Sequence, residues 1–301
     1  MVVFLVVGSI IVVIALFFVA KMFAGKLIFP NIKSYEECIS LTEKNNEVMV
    51  NQVDKLNHKD IKLPMSRGYN IIGKLFIQDN AKGVVILSHG ITWNMIGSYK
   101  YVTLFYNRGY NVFIYDHRNH GKSGGSNTSF GYYEKLDLQE IITYLTNKFG
   151  SDFIIGLHGE SMGAATVIQI AGIERRIDFV IADCPFSELK TLLLYRMKKD
   201  YGYSFPFIFP LVNLYLRVLY GWSIEKSSPI YYAKKIEVPT LYIHGEKDFY
   251  VPTNMSRELF EVTRGEKELY ISTGAAHAKS YMKNEKEYKE VVNRFLTKYG
   301  F

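Results

Sequence analysis

The sequence predicts an α/β protein built on a mostly parallel β-sheet with helices on both faces. Short, continuous apolar runs recur along the chain, and stretches of helical length separate them. Strands that are apolar throughout are buried on both faces, as in parallel sheets covered by helices. The runs expected to form strands are 69–78, 84–88, 112–115, 153–157, 179–182, 240–244 and 268–271.

Composition narrows the class of protein. The 301 residues suffice for one large domain with an N-terminal extension, and 48% of them are hydrophobic. The formal net charge of +7 comes from scattered basic residues, so we expect no nucleic-acid partner. The two cysteines, Cys38 and Cys184, are too few for a disulfide framework, although a bond between them stays open. No Cys/His cluster has zinc-ligand spacing, so we expect no metal site.

Residues 2–20 form an uncharged apolar segment near the N-terminus. About twenty such residues span the hydrocarbon core of a bilayer, so we expect residues 1–24 to form a single-pass transmembrane anchor. A cleaved signal peptide is the alternative. It is disfavoured because no Lys or Arg precedes the run, and because Phe18 stands where cleavage after Ala20 needs a small residue.

Three lysines, Lys21, Lys26 and Lys33, follow the apolar segment. The positive-inside rule then places the rest of the chain on the cytoplasmic side of the membrane. The polar residues 25–64 are expected to be a linker or an accessory helix. Residues 65–301 are expected to form the α/β domain.

A long insertion, residues 187–232, interrupts the alternation of strands and helices. It is apolar and aromatic, but Pro206, Pro210 and Arg217 argue against a second membrane span. We expect a helical lid over the site; the alternative is an ordinary crossover helix packed on the sheet. As a hypothesis, three lid aromatics line an apolar pocket: Phe205, Phe207 and Phe209.

Ser161 is the candidate nucleophile. It lies in the pattern Gly-x-Ser-x-Gly, which runs from Gly159 to Gly163, after the predicted strand 153–157 and before a helix-like stretch. A sharp turn between strand and helix exposes the serine hydroxyl to a base, and the turn needs small residues around it. The flanks therefore favour a catalytic serine over a plain turn.

A serine nucleophile requires a base, and the base requires an orienting carboxylate. His277 follows the last predicted strand in a loop of small residues, and we expect it to be the base. Asp248 follows the strand 240–244 at the same carboxyl edge of the sheet, and we expect it to be the acid. Asp183, at another strand end, is the alternative acid.

The negative charge that develops on the substrate oxygen needs two backbone N–H donors. We expect one from Met162, directly after the serine, and one from Ile91, in the loop after the strand 84–88. Gly90 lets that loop approach the substrate, and Thr92 is the alternative donor one residue further on.

The segment 115–124 resembles a phosphate loop but lacks the required spacing of glycine and lysine. We interpret it as a structural turn in which Asp116 and Arg118 pair with each other or bond to neighbouring backbone.

These motifs occur in order and together resemble the α/β-hydrolase superfamily, in particular the bacterial membrane-anchored branch grouped with serine aminopeptidase-like and prolyl oligopeptidase-like hydrolases. The resemblance covers about residues 65–300. It implies a mostly parallel eight-stranded sheet, a Ser161–Asp248–His277 triad and no cofactor, and it leaves the oligomeric state open. The motifs that carry it are HGITWN, DHRNHGKSG, GESMGAAT, HGEKDFYVP and HAKSY.

The fold alone does not determine the substrate. Because the expected lid is aromatic, we predict a serine esterase that cleaves carboxylic esters of apolar acids through an acyl-enzyme. Peptidase, aminopeptidase or thioesterase activity on the same triad is the alternative. A catalytically idle, membrane-bound interaction module is the alternative from another class.

Overall fold

The computed structural model describes residues 2–45 and 48–301, and this part of the chain contains one eight-stranded sheet. Its strands are β1 His58–Pro64, β2 Asn70–Phe76, β3 Gly83–Ser88, β4 Tyr110–Tyr115, β5 Ile154–Glu160, β6 Phe179–Asp183, β7 Thr240–Gly245 and β8 Lys267–Ser272. They lie in the order β1-β2-β4-β3-β5-β6-β7-β8. The β1–β2 and β2–β4 pairs are antiparallel, and all the other pairs are parallel. The predicted mostly parallel sheet is confirmed.

Helices cover both faces of this sheet. They are α1 Val2–Ile28, α2 Tyr35–Lys44, α3 Val50–Val53, α4 Tyr99–Tyr106, α5 Glu134–Phe149, α6 Met162–Ala171, α7 Leu189–Tyr201, α8 Phe209–Tyr220, α9 Ile230–Ala233, α10 Asn254–Val262, α11 Ser280–Lys283 and α12 Glu285–Lys298. One apolar core joins α4 and α12 to the sheet, and a second joins α5 and α6 to the opposite face. The central strands β3 and β4 are buried along their whole length, which explains their unbroken apolar sequences.

The range 25–64 contains more structure than the predicted linker. Helix α2 begins with a capping box, in which Ser34 and Glu37 each bond the other's backbone N–H. Strand β1 is an edge strand that pairs only with β2, and four of its seven residues are exposed. Ile61 and Leu63 are its partly buried apolar residues. That sparse alternation is why the strand escapes detection. Residues 46 and 47 of this range lie outside the described residues.

The prediction of a single-pass membrane anchor over residues 1–24 is wrong. Within residues 2–45 and 48–301, no helix combines the length and the hydropathy that a bilayer crossing requires. The cytoplasmic placement that depended on this anchor loses its basis with it. Residue 1 of the predicted range lies outside the described residues.

The carboxyl-terminal part of α1 packs into the fold, whereas apolar residues nearer its start, such as Phe4, Ile11 and Phe18, are exposed. The last turns of α1 pack against α8, and the ring of Phe17 meets the ring of Tyr215 edge-on at 5.7 Å. Helix α1 also carries Lys21 and Lys26 within its length. A third apolar cluster, which includes Met162 beside Ser161, buries four residues of α1: Ala20, Ala24, Leu27 and Ile28.

Candidate active site

Ser161 lies between β5 and α6 in a backbone conformation that side chains rarely adopt. Its φ is 56° and its ψ is −114°, which is strained for any residue but glycine. A methyl group at Gly159 would lie 2.4 Å from the carbonyl carbon of Gly163, and one at Gly163 would lie 2.0 Å from the Ser88 oxygen. The two glycines therefore allow the backbones to approach closely enough to make the turn.

The structure brings Ser161, His277 and Asp248 together from three separate loops. The Ser161 hydroxyl lies 3.0 Å from His277 Nε2, and His277 Nδ1 lies 2.7 Å from Asp248 Oδ2. Because a carboxylate only accepts, Nδ1 carries the imidazole proton and Nε2 is left to accept the hydroxyl proton. Ser161 is only 6% exposed, so the hydroxyl is held in a fixed direction.

Asp248 is held ionised by its surroundings. Its Oδ1 accepts the N–H groups of Tyr250 and Val251 at 2.9 and 2.8 Å. Burial disfavours the charge, but hydrogen bonds from His244 and His277 outweigh burial and hold the pKa of Asp248 below its usual range. The carboxylate is therefore charged at neutral pH.

His244, at the end of β7, is a positioning residue that the sequence interpretation missed. Its Nε2 lies 3.1 Å from Asp248 Oδ2 and 3.0 Å from the carbonyl oxygen of Val251. Its Nδ1 lies 2.6 Å from the hydroxyl of Ser256. The histidine therefore joins β7 and α10 to the carboxylate. The sequence feature that could have indicated this role is the position of His244 four residues before Asp248 in the same motif.

The structure does not bring Asp183 to the imidazole. Its carboxylate instead lies 3.4 Å from the hydroxyl of Tyr101, which donates a shorter hydrogen bond of 2.7 Å to Glu160. Glu160 also forms an ion pair of 2.7 Å with Lys100 in this buried network. Burial, together with the nearby charge of Glu160, raises the pKa of Asp183 to about 7.

Replacing Asp183 is expected to change the pH dependence of stability. The unfolded carboxyl titrates near pH 4 and the folded one near pH 7, so the folded state binds the extra proton between these values. Stability is therefore lost as the pH rises through this window. Asp183→Asn cannot ionise, and its melting temperature should fall less between pH 5 and 8, by several degrees.

Differential scanning fluorimetry across that pH range measures this effect. Asp152→Asn, at an exposed position, is the matched control and should follow the wild-type curve. Identical pH profiles for Asp183→Asn and wild type would contradict the raised pKa.

Met162 and Ile91, whose backbone amides are the predicted donors, both lie near Ser161. Met162 is the first residue of α6, so its N–H has no acceptor within the helix. In the described part of the chain, neither this N–H nor that of Ile91 donates to a backbone carbonyl. Both residues line one cavity together with Ser161. Thr92 has a φ of 66°, and its carbonyl accepts the N–H of Lys33 at 3.0 Å.

His89 holds the loop that carries Ile91. Its Nε2 accepts the N–H of His117 at 3.0 Å, so Nδ1 is the protonated nitrogen and donates to the Gly90 carbonyl at 2.8 Å. Burial, with His120 nearby, lowers the pKa of His89 to about 3, which keeps this pattern at neutral pH. Sequence analysis used this histidine only as part of a motif and missed its positioning role.

The turn after β4 supports this site through the His117 N–H, but its residues do not line the cavity at Ser161. Asp116 accepts the N–H groups of Met95 and Lys122, each at 2.8 Å, and also the hydroxyl of Tyr35. It therefore ties the turn to the segment that follows the Ile91 loop. Arg118 does not pair with Asp116, and its Nη2 instead donates to Asn127 Oδ1 at 3.4 Å.

An apolar cavity of about 330 Å³ opens beside Ser161. Its walls come from α1, from α7 and from the loops after β3 and β7. The ring of Tyr250, one of its lining residues, packs at a tilt of 37° against the His277 ring at 4.9 Å and lies under the Arg196 guanidinium at 4.3 Å. Most of the lining is apolar, although Lys26, Arg196 and Asp200 also border the cavity. The apolar lining residues include Phe23, Leu27, Phe130, Phe186, Leu192, Leu193 and Met197.

A smaller cavity of about 170 Å³ lies beside His277 and has charged walls, formed in part by Lys100, Glu160 and Lys279. The site therefore borders two cavities, a larger one at Ser161 and a smaller one at His277.

The three aromatics proposed for the pocket wall do not line the cavity at Ser161. Phe207 is 68% exposed, and Phe209 is buried in the apolar cluster beneath α8. Phe205 borders a separate, smaller cavity together with Phe23. Sequence alone identified an aromatic insertion correctly but could not show which of its faces turns toward the serine.

The described residues hold one group of three possible metal ligands, Cys184, Asp248 and His277, with ligand atoms within 4.8 Å of one another. Asp248 and His277 already bond to each other. Burial, with Asp183 nearby, raises the pKa of the Cys184 thiol, so the thiolate that a metal requires is disfavoured. Cys38 and Cys184 are both free thiols.

Known proteins share this architecture. A family model described as serine aminopeptidase, S33, matches residues 79–219, and a model described as serine hydrolase (FSH1) matches residues 174–283. The Bacillus subtilis protein YqkD is 37% identical over 287 residues, which is 94% of each chain. A Pyrococcus furiosus esterase, Pf2001, superposes with a TM-score of 0.67 at 25% identity, over 82% of this chain and 93% of its own. The Aspergillus aculeatus thiohydrolase AneE is 27% identical over 159 residues, 49% of this chain and 45% of its own.

A mostly parallel sheet with a strained serine between a strand and a helix defines a class of hydrolases. The matches agree with that class. The chain belongs to the α/β-hydrolase superfamily, as its motifs predicted, and it is a hydrolase.

Proposed function

We propose that this protein is a serine esterase that cleaves carboxylic esters of apolar acids. One observation carries the proposal: the Ser161 hydroxyl borders an apolar cavity and is hydrogen-bonded, through His277, to a buried carboxylate. This arrangement supplies a nucleophile, its base and a binding space for an acyl chain at one point.

In the proposed reaction, Ser161 Oγ attacks the ester carbonyl carbon while His277 Nε2 takes the hydroxyl proton. The charged Asp248 stabilises the imidazolium. The alcohol then leaves with that proton, and the acyl group remains on Ser161. A water molecule attacks the acyl-enzyme with His277 again as base, which releases the acid and restores the serine.

The N–H groups of Ile91 and Met162 are proposed to stabilise the oxyanion. Both residues border the apolar cavity beside Ser161. A site with two preorganised donors favours the tetrahedral intermediate over the planar substrate. His89, by holding the Gly90 carbonyl, would keep the Ile91 donor in place.

The two cavities support a division of the substrate. The cavity of about 330 Å³ would hold the acyl chain, because contact between the chain and the apolar wall removes apolar surface from water, which favours binding. The smaller cavity beside His277 would hold the alcohol part of the ester, because the departing alcohol takes its proton from His277. The insertion 187–232 would serve as a lid over the acyl side, since α7 supplies part of that wall.

The comparisons support hydrolysis at several kinds of acyl bond. The similarity to the Pyrococcus furiosus esterase supports an ester as the substrate, and the similarity to the Aspergillus aculeatus thiohydrolase supports a thioester. The serine aminopeptidase model favours a peptide bond. The ester is our first choice because most of the cavity wall is apolar, and because its carboxylate, Asp200, is already paired with Arg196 and so is occupied where an amino terminus would bind.

A substrate panel tests the proposal. Matched esters, thioesters and aminoacyl amides of one chromogenic series, with increasing acyl length, should show the highest kcat/KM for esters of intermediate or long chains. Leu27→Trp fills the cavity from α1, and we expect kcat/KM to fall about tenfold for the longest esters and little for acetate esters.

The control is Leu16→Trp, an exposed position on the same helix, which should leave the chain-length profile unchanged. A higher kcat/KM for the amides would replace the esterase with a peptidase. An unchanged profile in Leu27→Trp would show that the acyl chain binds elsewhere.

A further inference from the structure

A second large cavity, of about 660 Å³, lies apart from the one at Ser161 and shares no lining residue with it. It forms where three segments meet. These are the turn after β4, the residues just before β2, and the carboxyl end of α8. Its polar lining is built around two arginines, Arg67 and Arg118.

Arg118 is the unusual residue of this cavity. It is only 5% exposed, yet its Nε and Nη1 atoms have no hydrogen-bond partner in the part of the chain that the structure describes. Its Nη2 makes one long hydrogen bond, 3.4 Å, to the side-chain oxygen of Asn127. The rings of Tyr69 and Tyr133 lie 5.4 and 4.5 Å from the guanidinium carbon.

These contacts orient the guanidinium of Arg118 but provide no hydrogen-bond acceptor for its Nε and Nη1 groups. Aromatic rings stabilise a cation over their faces, but they do not replace the acceptors that N–H groups lose on burial. Among the described residues no carboxylate forms an ion pair with Arg118, although buried charges are ordinarily paired. Two unbonded donors on a planar cation at a cavity wall match the oxygens of a carboxylate or a phosphate.

The neighbouring charges leave room for an anion. Glu140 is occupied, because it accepts the N–H and hydroxyl of Ser66 and lies 3.4 Å from Arg67. Asp137 accepts the Tyr69 hydroxyl and lies 3.8 Å from Arg67 Nη1. Burial raises the pKa of this carboxyl to about 7, although the nearby charges of Arg118 and Arg67 act in the opposite direction, so Asp137 is partly neutral near that pH. Arg67 is at the rim, with 30% of its side chain exposed.

We propose that this cavity binds a small oxyanion, a carboxylate or a phosphate group, through the guanidinium of Arg118, with Arg67 and Asn127 beside it. The cavity also borders Leu219, Tyr220 and Gly221 at the end of α8. Tyr133, whose ring stacks near Arg118, donates its hydroxyl to the Tyr220 carbonyl at 2.8 Å. The bound anion would therefore lie between the α/β domain and the insertion.

Isothermal titration of the full chain with sodium phosphate and with sodium acetate, at constant ionic strength and with chloride as the reference salt, tests this site. Wild type and Ser161→Ala should bind one anion with equal affinity, since the cavity is separate from Ser161. Tighter binding of phosphate would identify a phosphate-bearing ligand, and tighter binding of acetate a carboxylate. Neither result depends on catalysis.

Arg118→Lys keeps the charge but loses the planar pair of donors, and it should weaken binding about tenfold or more. Arg67→Gln, at the exposed rim, should weaken binding severalfold even if Arg118→Lys does not fold. Arg264→Lys, an exposed arginine, is the matched control and should bind like wild type. The absence of saturable binding of either anion to wild type, or unchanged affinity in Arg67→Gln and a folded Arg118→Lys, would overturn the proposal.

Discussion

Ser161→Ala is expected to abolish ester hydrolysis, with a loss in kcat on the order of 10⁶. The alanine has no hydroxyl to attack the carbonyl carbon, and the hydrogen bond of 3.0 Å to His277 disappears with it. The fold should persist, because alanine is smaller than serine and the strained turn is held by the neighbouring glycines. Chromogenic ester hydrolysis measures the loss, and a fluorophosphonate probe reports the nucleophile directly.

The wild-type protein should react covalently with the probe, and Ser161→Ala should not. Ser151→Ala, on an exposed turn, is the control and should label and hydrolyse like wild type. A wild-type protein that neither labels nor hydrolyses any member of the substrate panel would favour an interaction module without catalysis. Retained activity in Ser161→Ala would place the nucleophile elsewhere.

Asp248→Asn is expected to lower kcat by about 10⁴ with the fold retained. The carboxylate accepts the Nδ1 proton of His277 at 2.7 Å and thereby keeps Nε2 free for the serine proton. An amide in this place can turn its NH₂ group to Nδ1 and favour the opposite tautomer, in which Nε2 carries the proton. It also removes the charge that stabilises the imidazolium.

Asp183→Asn is the matched control for this loss, because it makes the same chemical change at the end of the neighbouring strand. It should keep most of kcat, since its carboxylate bonds to Tyr101 and not to His277. Circular dichroism at one pH confirms that both variants are folded before kcat is compared. Loss of activity in Asp183→Asn with full activity in Asp248→Asn would reverse the assignment of the acid.

The predictions that succeeded depend on local sequence. The buried strands are continuous apolar runs, so their positions differ from the predicted ones by a few residues at most. The grouping of Ser161, Asp248 and His277 was expected because each follows a strand of a parallel sheet, and such strands end at one edge. The topology of the sheet therefore brings these local motifs together at one edge.

The features that were missed depend on contacts distant in sequence. Strand β1 is recognisable only by its pairing with β2. The support that His244 and His89 give to the site rests on backbone and side-chain partners brought together by the fold. The side chain of Arg118 was expected to pair locally, yet its unpaired nitrogens become visible only when its surroundings are known.

The error at the N-terminus has the same origin. An uncharged apolar run fits a bilayer and a protein interior equally well in composition, and only packing distinguishes them. Here Ala20, Ala24, Leu27 and Ile28 are buried in the apolar cluster that includes α8, whereas apolar residues nearer the start of α1, such as Phe4 and Ile11, are exposed. The hydropathy of a sequence segment does not show which residues of the helix pack against the rest of the protein.

The contribution of α1 to the cavity wall has a practical consequence for protein preparation. Apolar N-terminal segments are commonly deleted to improve expression, and a truncated version starting near residue 29 would still contain Ser161, His277 and Asp248. It would lack Phe23 and Leu27, and one side of the acyl cavity would be open to solvent. Substrate profiles measured on such a shortened protein would describe an altered specificity, so screening for the natural substrate requires the full chain.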